Sequence, residues 1–234
     1  MGVAYNTSIV TDGLVFGIDA ANPRCYSGSG ITVNGFTGIG STLVNGVGYS
    51  SSNFGYFTFD GTNDYILSSP TTIETYSNNF TVEFVARPTG AILLAAENVI
   101  GTNIGGRRFI IHPEFDDPSG GFGVALGTNG LEVMEHSGGY FPTLLSYSAI
   151  LSNINHYSIQ MVNKQSSLYI NGVFVRQGLQ SPKTSNTLKN NRRIGFGDYG
   201  NYQGQLHSVK FYNRALTAQE IQQNYAAIRG RYGI

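Results

Sequence analysis

The stretch that decides the fold is residues 204–225, GQLHSVKFYNRALTAQEIQQNY. Its first half alternates apolar and polar residues as a strand does, and its second half changes to helical spacing. Thr217 is a good N-cap, and Glu220, three residues later, completes a capping box. Leu216 and Ile221 can pack across the cap as a hydrophobic staple. The pattern therefore predicts a strand that runs directly into a helix.

This helix is predicted to cover about residues 218–229 and to be amphipathic. Ile221, Tyr225 and Ile228 fall on one helical face, and Gly230 is placed to end the helix. Such apolar stripes usually face the protein's own core, so we expect the helix to lie against a β-sandwich as a structural element. Presentation of the stripe to a partner is the alternative.

Upstream of this ending, the sequence predicts short strands joined by tight turns. Residues 54–60, FGYFTFD, and 80–88, FTVEFVARP, alternate in the manner of strands. Asn171-Gly172 favours a two-residue type I′ hairpin turn, and residues 127–130, GTNG, predict another turn. About a dozen such strands without βαβ alternation predict an all-β jelly-roll sandwich of two antiparallel sheets, with one short C-terminal helix.

Composition narrows the class of protein. The chain has 234 residues without a linker-like segment, so we expect a single domain over residues 1–234. Charged residues are only 12% of the chain and the net charge is zero, against a usual share of ~25%. So few and so balanced charges produce only a weak electrostatic field, which gives no basis for binding nucleic acid or an anionic membrane. The single cysteine, Cys25, excludes an intrachain disulfide.

The sequence also bears on location. Residues 1–19, MGVAYNTSIVTDGLVFGID, lack a basic region and a long apolar segment, so no signal peptide is predicted. No run approaches the ~20 apolar residues of a membrane span. We therefore expect the protein to stay in a cytoplasm or to leave by another route, such as assembly into a particle released by lysis.

Four segments together carry a family resemblance over essentially the whole chain. They resemble, in order and spacing, the laminin-G-like branch of the concanavalin-A-like lectin/glucanase superfamily. The segments are FDGTNDYI (59–66), FTVEFVARP (80–88), LYINGVFV (168–175) and GQLHSVKFYNRALTAQEI (204–221). The opening IVTDGLVFGIDAANPRCYSGSG (9–30) also resembles members found in bacteriophage and marine viral proteins.

The resemblance implies a jelly-roll sandwich that binds glycans or proteins, sometimes with calcium. Enzymes share this fold, so the fold alone does not establish function. The glucanase branch carries its catalytic acids in an E-x-D-x-x-E pattern on one strand, and that pattern is absent here. The nearest candidates, Glu132 and Glu135, are three apart and point to opposite faces of a strand. We expect both to be exposed or rim carboxylates.

The sequence contains candidate ligands for a calcium ion. Hard oxygen ligands would have to converge from loops, and the adjacent carboxylates Asp116 and Asp117 in EFDDPSGG are the best placed. Asp60 and Asp64 in FDGTNDY are expected instead to cap a turn, because Asp bonds its own backbone there. No cofactor is predicted otherwise.

The sequence contains more side chains suited to binding a glycan than to binding calcium. Sugar sites combine an aromatic face with a few placed polar groups. Two segments offer both, namely residues 195–205, GFGDYGNYQGQ, and 136–142, HSGGYFP. The predicted ligand-binding residues are Asp198, Tyr199, Asn201, Tyr202, Gln203 and Tyr140. Packing of these tyrosines over the rim of the sandwich is the alternative.

Taken together, the sequence predicts a non-catalytic binding or structural module. The resemblance suggests a virion-associated decoration or adhesion protein that contacts host-surface glycans or other capsid or tail proteins. Self-association into a homo-oligomer within an assembly is compatible with this role. Extracellular or cell-surface location without a signal peptide is the alternative to the virion. A polysaccharide-acting glycoside hydrolase or lyase on the same fold is the alternative function.

Overall fold

Two stacked β-sheets form the body of the protein in a computed structural model, which describes residues 8–102 and 105–234. Strands are numbered in chain order. The eight-stranded sheet runs β15 (Val173–Gln180), β14 (Gln165–Ile170), β13 (Asn155–Val162), β8 (Phe80–Pro88), β18 (Gln203–Tyr212), β5 (Tyr56–Asp60) and β4 (Gly48–Ser50), with β1 (Leu14–Asp19) also paired to β18.

The second sheet has ten strands. It runs β12 (Thr143–Ser148), β11 (Gly130–His136), β10 (Gly120–Gly127), β9 (Phe109–Ile111), β17 (Arg193–Ile194), β6 (Tyr65–Ser69), β3 (Gly40–Val44) and β2 (Thr32–Asn34), while β16 (Asn186–Lys189) joins β10 to β7 (Thr75–Ser77). The pairing of β10 with β16 is parallel, and the other pairings between described strands are antiparallel. The predicted all-β sandwich of two sheets is confirmed.

The main core lies between the two sheets. Alternating residues on the inner faces are excluded from solvent, including Phe84 and Tyr157 of the first sheet and Val124 and Val133 of the second. Aromatic contacts join the layers, as where Phe80 of β8 meets Phe122 of β10 with ring centroids 5.1 Å apart. Because the free energy gained on folding scales with the apolar area removed from water, this shared interior is the dominant stabilising element of the fold.

The predicted hairpin turns form where the sequence places them. Asn171 and Gly172 have φ angles of 52° and 74°, the left-handed values that a type I′ turn needs, and they join β14 to β15. Residues 127–130 close the β10–β11 hairpin through the Gly127–Gly130 pair. Asp64 accepts the backbone N–H of Asp60 at 3.0 Å, so the predicted capping of that turn is confirmed.

Helix α1 (Ala218–Tyr232) begins as predicted and ends later than predicted. Thr217 and Glu220 form the complete capping box. The C-cap is Gly233, with φ 67°, and not Gly230. The prediction for Gly230 was wrong because packing continues past it: Tyr232 is 4% exposed and belongs to the same apolar cluster as Val85 of β8.

The helix covers the outer face of the eight-stranded sheet. Ile221 and Leu216 are fully buried in one cluster with Tyr212 of β18, as the staple requires. Asn224 is also buried and donates to the Glu83 carboxylate at 2.8 Å. The expectation of a structural helix is therefore confirmed. Within the described ranges, no helix has the length and apolar content needed to cross a membrane.

Candidate functional site

The candidate site lies on the outer face of the ten-stranded sheet. A small apolar cluster forms there from Ile92, Phe109, Ala125, Met134 and Phe141, with Tyr199 packed against it. Loops cover this face where a helix covers the other sheet. The two segments predicted to bind a glycan converge on this cluster.

A tight turn presents Asp198 and Tyr199. The N–H of Gly200 donates to the carbonyl of Gly197 at 3.0 Å, which closes a β-turn with Asp198 and Tyr199 at its two central positions. Gly200 has φ 145°, and a Cβ built there would lie 1.7 Å from the carbonyl oxygen of Arg107. Only glycine fits this close approach of two backbones, so the turn is held against the sheet.

A second tight turn presents Tyr140. Ser137 and Tyr140 exchange both backbone hydrogen bonds, at 2.9 and 3.2 Å, around the pair Gly138-Gly139. Gly139 has φ 59°, and the space around a Cβ there is open. Glycine suits the second central position of such a turn, where φ is positive, and Tyr140 follows it directly.

Four rings come together between these two turns. His136 lies 4.8 Å from Phe141 and 5.3 Å from Tyr199, measured between ring centroids, and Phe141 lies 4.9 Å from Tyr199. Phe115 packs edge-on against His136 at 5.4 Å. We call Phe115, His136, Phe141 and Tyr199 the aromatic cluster. Phe141 is the buried member of this cluster, while Phe115 is 57% exposed.

Phe115 and His136 were not among the predicted ligand-binding residues. Phe115 lies in the acidic segment that was assigned to calcium, and His136 lies at the end of β11. An exposed phenylalanine within a polar loop is the one local signal that could have identified Phe115, since large exposed apolar side chains often mark interaction sites. The side chain of His136 is fixed by a hydrogen bond from Nδ1 to the carbonyl of Pro113, at 3.1 Å.

A buried carboxylate holds Tyr140 in place. The hydroxyl of Tyr140 donates to Glu135 Oε2 at 3.0 Å, and Ser181 donates to the same oxygen at 2.8 Å. Asn186 donates to the other oxygen. Burial raises the pKa of Glu135, and the donors from Asn186, Ser181 and Tyr140 act against that rise. Glu135 is fully buried, so the prediction that it is exposed was wrong.

Glu132 is fully buried as well, and the same prediction was wrong for it. It accepts the backbone N–H of Ala95 at 2.5 Å and forms an ion pair with Arg107 at 2.9 Å. These contacts hold the segment between β8 and β9, which covers the ten-stranded sheet, against β11. Glu132 and Glu135 share no partner, as expected for residues on opposite faces of one strand, and each carboxylate is occupied in holding a loop.

Asp198 forms the polar edge of the site on one side. Arg193 donates to it at 3.1 Å and also donates to Nε2 of His112 at 2.7 Å. Burial is the largest single influence on Asp198 and acts to raise its pKa, but the hydrogen bond and charge of Arg193, with smaller contributions from the two histidines, outweigh it and lower the pKa of Asp198. Burial, with the charge of Arg193, lowers the pKa of His112 to about 3. The carboxylate is therefore ionised and the imidazole neutral at pH 7.

The other predicted residues of the 195–205 loop point elsewhere. Asn201 bonds the carbonyl of Thr62 and lines a separate open hollow of about 450 Å³ with Arg108. Gln203 lies on that same side. Tyr202 is fully buried against Phe59, with ring centroids 5.7 Å apart. The prediction that Tyr202 contacts a ligand was wrong, because the strand alternation turns its ring into the core.

Asp116 and Asp117 lie beside the site without sharing a centre. Asp116 accepts from Thr187 Oγ1 at 2.5 Å and pairs with Lys189 at 3.6 Å. Asp117 accepts from Ser137 at 2.7 Å and lies 4.0 Å from Lys183. Among the described residues, no group of three or more His, Cys, Asp or Glu could hold a metal ion. Calcium binding at this pair stays a prediction.

The turns and rings enclose a small cleft of about 100 Å³. It is lined by Thr102, His136, Ser137, Gly139, Tyr140, Phe141 and Tyr199. A larger hollow of about 530 Å³ lies beside the end of α1, where amides of Asn153, Asn155 and Asn171 line it. The smaller cleft brings several aromatic rings together with convergent polar groups, which is the composition of small-molecule sites.

Solved structures share this architecture at low sequence identity. Domain 4 of AbnA, an extracellular GH43 arabinanase from Geobacillus stearothermophilus solved with arabinotriose, aligns with TM-score 0.59 and 14% identity over 91% of this chain and 98% of that one. The binding domain of botulinum neurotoxin DC, solved with SialylT, aligns with TM-score 0.66 and 10% identity over 93% of this chain and 52% of that one.

Trypanosoma rangeli sialidase, solved with sialic acid, aligns with TM-score 0.56 and 14% identity over 93% of this chain and 33% of its own. This chain therefore spans about half of the toxin domain and a third of the sialidase. Identities this low establish a common fold alone. No curated protein matches the sequence.

The sequence itself gives the family. Residues 60–222 match the model described as Concanavalin A-like lectin/glucanases superfamily, in its Laminin_G_3 branch. That range runs from the end of β5 to the start of α1 and so includes strands of both sheets of the sandwich. The chain belongs to the concanavalin A-like lectin/glucanases superfamily.

Proposed function

We propose that this protein is a non-catalytic module that binds a glycan at the cleft beside the aromatic cluster. One observation carries the proposal: two tight turns, distant in sequence, bring Tyr199 and Tyr140 to the same cleft, which Ser137 also lines, and Asp198 precedes Tyr199 in its turn. A ring face supplies apolar contact for a sugar, and carboxylate and hydroxyl oxygens supply hydrogen bonds. Fold neighbours solved with arabinotriose or with SialylT are compatible with this role.

The absence of catalysis is part of the proposal. A retaining glycosidase needs two carboxyl groups about 5–5.5 Å apart and open to the substrate. Glu132 and Glu135 are buried, engaged and directed to opposite faces, so they support a binding role better than a hydrolytic one. Asp198 is committed to Arg193, which keeps it ionised and makes it a poor proton donor.

We also propose that the module serves on a virion, as a decoration or adhesion protein. The resemblance of residues 9–30 to viral members and the low-charge, polar surface support this context. Its partners would be a host-surface glycan or other virion proteins, including copies of itself. Antibodies raised against the chain should label purified particles from its natural source. Labelling confined to cell surfaces would contradict the virion role.

A glycan array combined with a turnover assay tests the binding proposal. Wild-type protein and the Tyr199→Ala variant are applied to the same array. The glycans that bind are then incubated with the protein, and the release of new reducing ends is measured. We expect wild-type binding, weak binding by the variant, and no new reducing ends. Release of reducing sugar would establish the hydrolase alternative, and equal binding by both proteins would move the site away from Tyr199.

A further inference from the structure

Resting on the proposed glycan-binding function, we infer that the site selects neutral glycans and rejects those that carry a carboxylate, such as sialylated or uronic-acid glycans. The inference comes from which charges face the solvent around the aromatic cluster. Two ion pairs lie at the rim, Asp117 with Lys183 and Asp198 with Arg193. These groups are not equally accessible to a ligand.

The carboxylates are the more exposed members of both pairs. The side chain of Asp198 is 53% exposed while that of its partner Arg193 is 26% exposed. The side chain of Asp117 is 53% exposed while that of Lys183 is 22% exposed. An incoming sugar therefore meets carboxylate oxygens first, on both sides of the cleft.

The two cations are also engaged by the protein itself. Arg193 donates to His112 and Asp198, lies 3.7 Å from Glu114, and stacks over Phe196 with its guanidinium carbon 5.1 Å from the ring centre. Few of its donors remain for a ligand anion. The pairing of a sugar carboxylate with Arg193 would have to displace Asp198 or Glu114.

Lys183 is held in a comparable way. Its ammonium donates to Ser137 Oγ at 3.1 Å and lies 4.5 Å from the centre of the Tyr140 ring. The same ammonium faces Asp117 at 4.0 Å. It serves to place the Tyr140 ring and the hydroxyl of Ser137, both of which border the cleft.

The two histidines at the site add no positive charge at neutral pH. Burial lowers the pKa of His112 and, to a smaller extent, that of His136. With Glu114 at the same edge, three carboxylates and two cations lie around the cleft, and the most exposed of these side chains are the carboxylates Asp117 and Asp198. Sugar hydroxyls can donate charge-assisted hydrogen bonds to such oxygens, whereas a sugar carboxylate placed against them is repelled.

Matched glycan pairs test this inference directly. Each pair contains a neutral oligosaccharide and the same oligosaccharide with one added sialic acid or uronic acid, for example lactose and 3′-sialyllactose, presented on one array at pH 7. We expect the neutral member to bind at least tenfold more tightly for the glycans that the protein recognises. The ratio should shrink as salt is raised, because exposed charges are screened.

Two charge-neutralising variants establish the cause. Asp198→Asn and Asp117→Asn keep the shape and remove the charge, and we expect each to reduce the neutral-to-acidic ratio several-fold. Asp12→Asn is the matched control, because Asp12 is an exposed carboxylate paired with an arginine, Arg214, near the helix. It should leave the ratio unchanged.

The outcomes separate this inference from the function on which it rests. Equal or tighter binding of the acidic members overturns the inference and leaves glycan binding intact. A neutral preference that neither variant alters also overturns it, since the rim carboxylates would not be the cause. Failure to bind any glycan of either class overturns the proposed function together with the inference.

Discussion

The two outer faces of the sandwich are covered in different ways. A single capped helix seals the eight-stranded sheet, with Ile221 and Tyr232 packed onto it. Loops cover the ten-stranded sheet around the candidate site and leave a cleft between Tyr199 and Tyr140. A helix buries a continuous stripe, while loops placed by a rigid scaffold leave openings that a ligand can use. The helix-covered face therefore serves stability, and the loop-covered face is the one that we propose for binding.

The largest effect is expected from opening the sealed face. Replacing the fully buried Ile221 by alanine should cost about 2–5 kcal/mol, because it removes apolar contact and leaves a cavity. Chemical denaturation measures this cost, and Gln222→Ala, on the exposed side of the same helix, is the matched control. Glycan affinity of the folded variant should stay at the wild-type value. A parallel loss of affinity would break the division between the two faces.

Acid should weaken each face through a buried histidine whose pKa is lowered, His112 on one face and His207 on the other. Burial lowers the pKa of His112 to about 3 and that of His207, which contacts Tyr232, to about 4. The unfolded chain takes up these protons near pH 6.5 and the folded one does not. Stability should therefore be full above about pH 6.5 and fall with decreasing pH, by at most about 1.4 kcal/mol per unit for each group.

Denaturation curves of the two glutamine variants sharpen this expectation. His207→Gln should flatten the acid slope from about pH 6.5 down to about 4, and His112→Gln should flatten it down to about 3. Double substitution should flatten it further. A wild-type slope retained in both variants would show that carboxylate titration alone causes the acid sensitivity.

On the open face, Tyr199→Ala should reduce glycan affinity at least tenfold, equivalent to about 1.4 kcal/mol. Its ring packs on Phe141 and His136 at the edge of the cleft, so the loss falls on binding more than on folding. Tyr199→Phe keeps the ring and should bind nearly as wild type does. If both variants lose affinity equally, the hydroxyl and not the ring face makes the contact.

The difference between the faces also explains what the sequence predicts well. The signals of the helix start are local: Thr217, Glu220, Leu216 and Ile221 lie within six positions, and each lies in its predicted role. Asn171-Gly172 is local in the same way. The late end of the helix was missed because Tyr232 is held by a contact with a strand more than a hundred residues away.

The site depends on contacts of that distant kind. Glu135 accepts from Ser181 and Asn186, which lie 46 and 51 positions further along the chain. No pattern near β11 shows those donors, so a carboxylate in a strand was expected to be exposed. The prediction for Tyr202 was wrong for a related reason. The residue at which the loop becomes a strand determines which side chains point into the core, and the sequence does not show where that residue is.

A smaller effect is expected at the start of the helix. Thr217→Ala removes the acceptor of the Glu220 N–H and should cost about 1 kcal/mol of stability. Thr217→Ser keeps the acceptor and is the control. The cost should appear in denaturation and not in glycan affinity. A cost as large as that of Ile221→Ala would show that the cap, and not the packed face, holds the helix on the sheet.

The smallest effect is expected from calcium. Asp116 and Asp117 each already have a hydroxyl donor and a lysine, so a cation would have to displace Lys189 or Lys183 to gather both carboxylates. Calcium at about 10 mM exceeds the ~0.1–1 mM dissociation constants of extracellular calcium modules and would stabilise any such site by mass action. We expect the same melting temperature in calcium and in chelator. An upward shift with calcium that Asp116→Asn abolishes would instead establish the site and show that the open face is ordered by a metal.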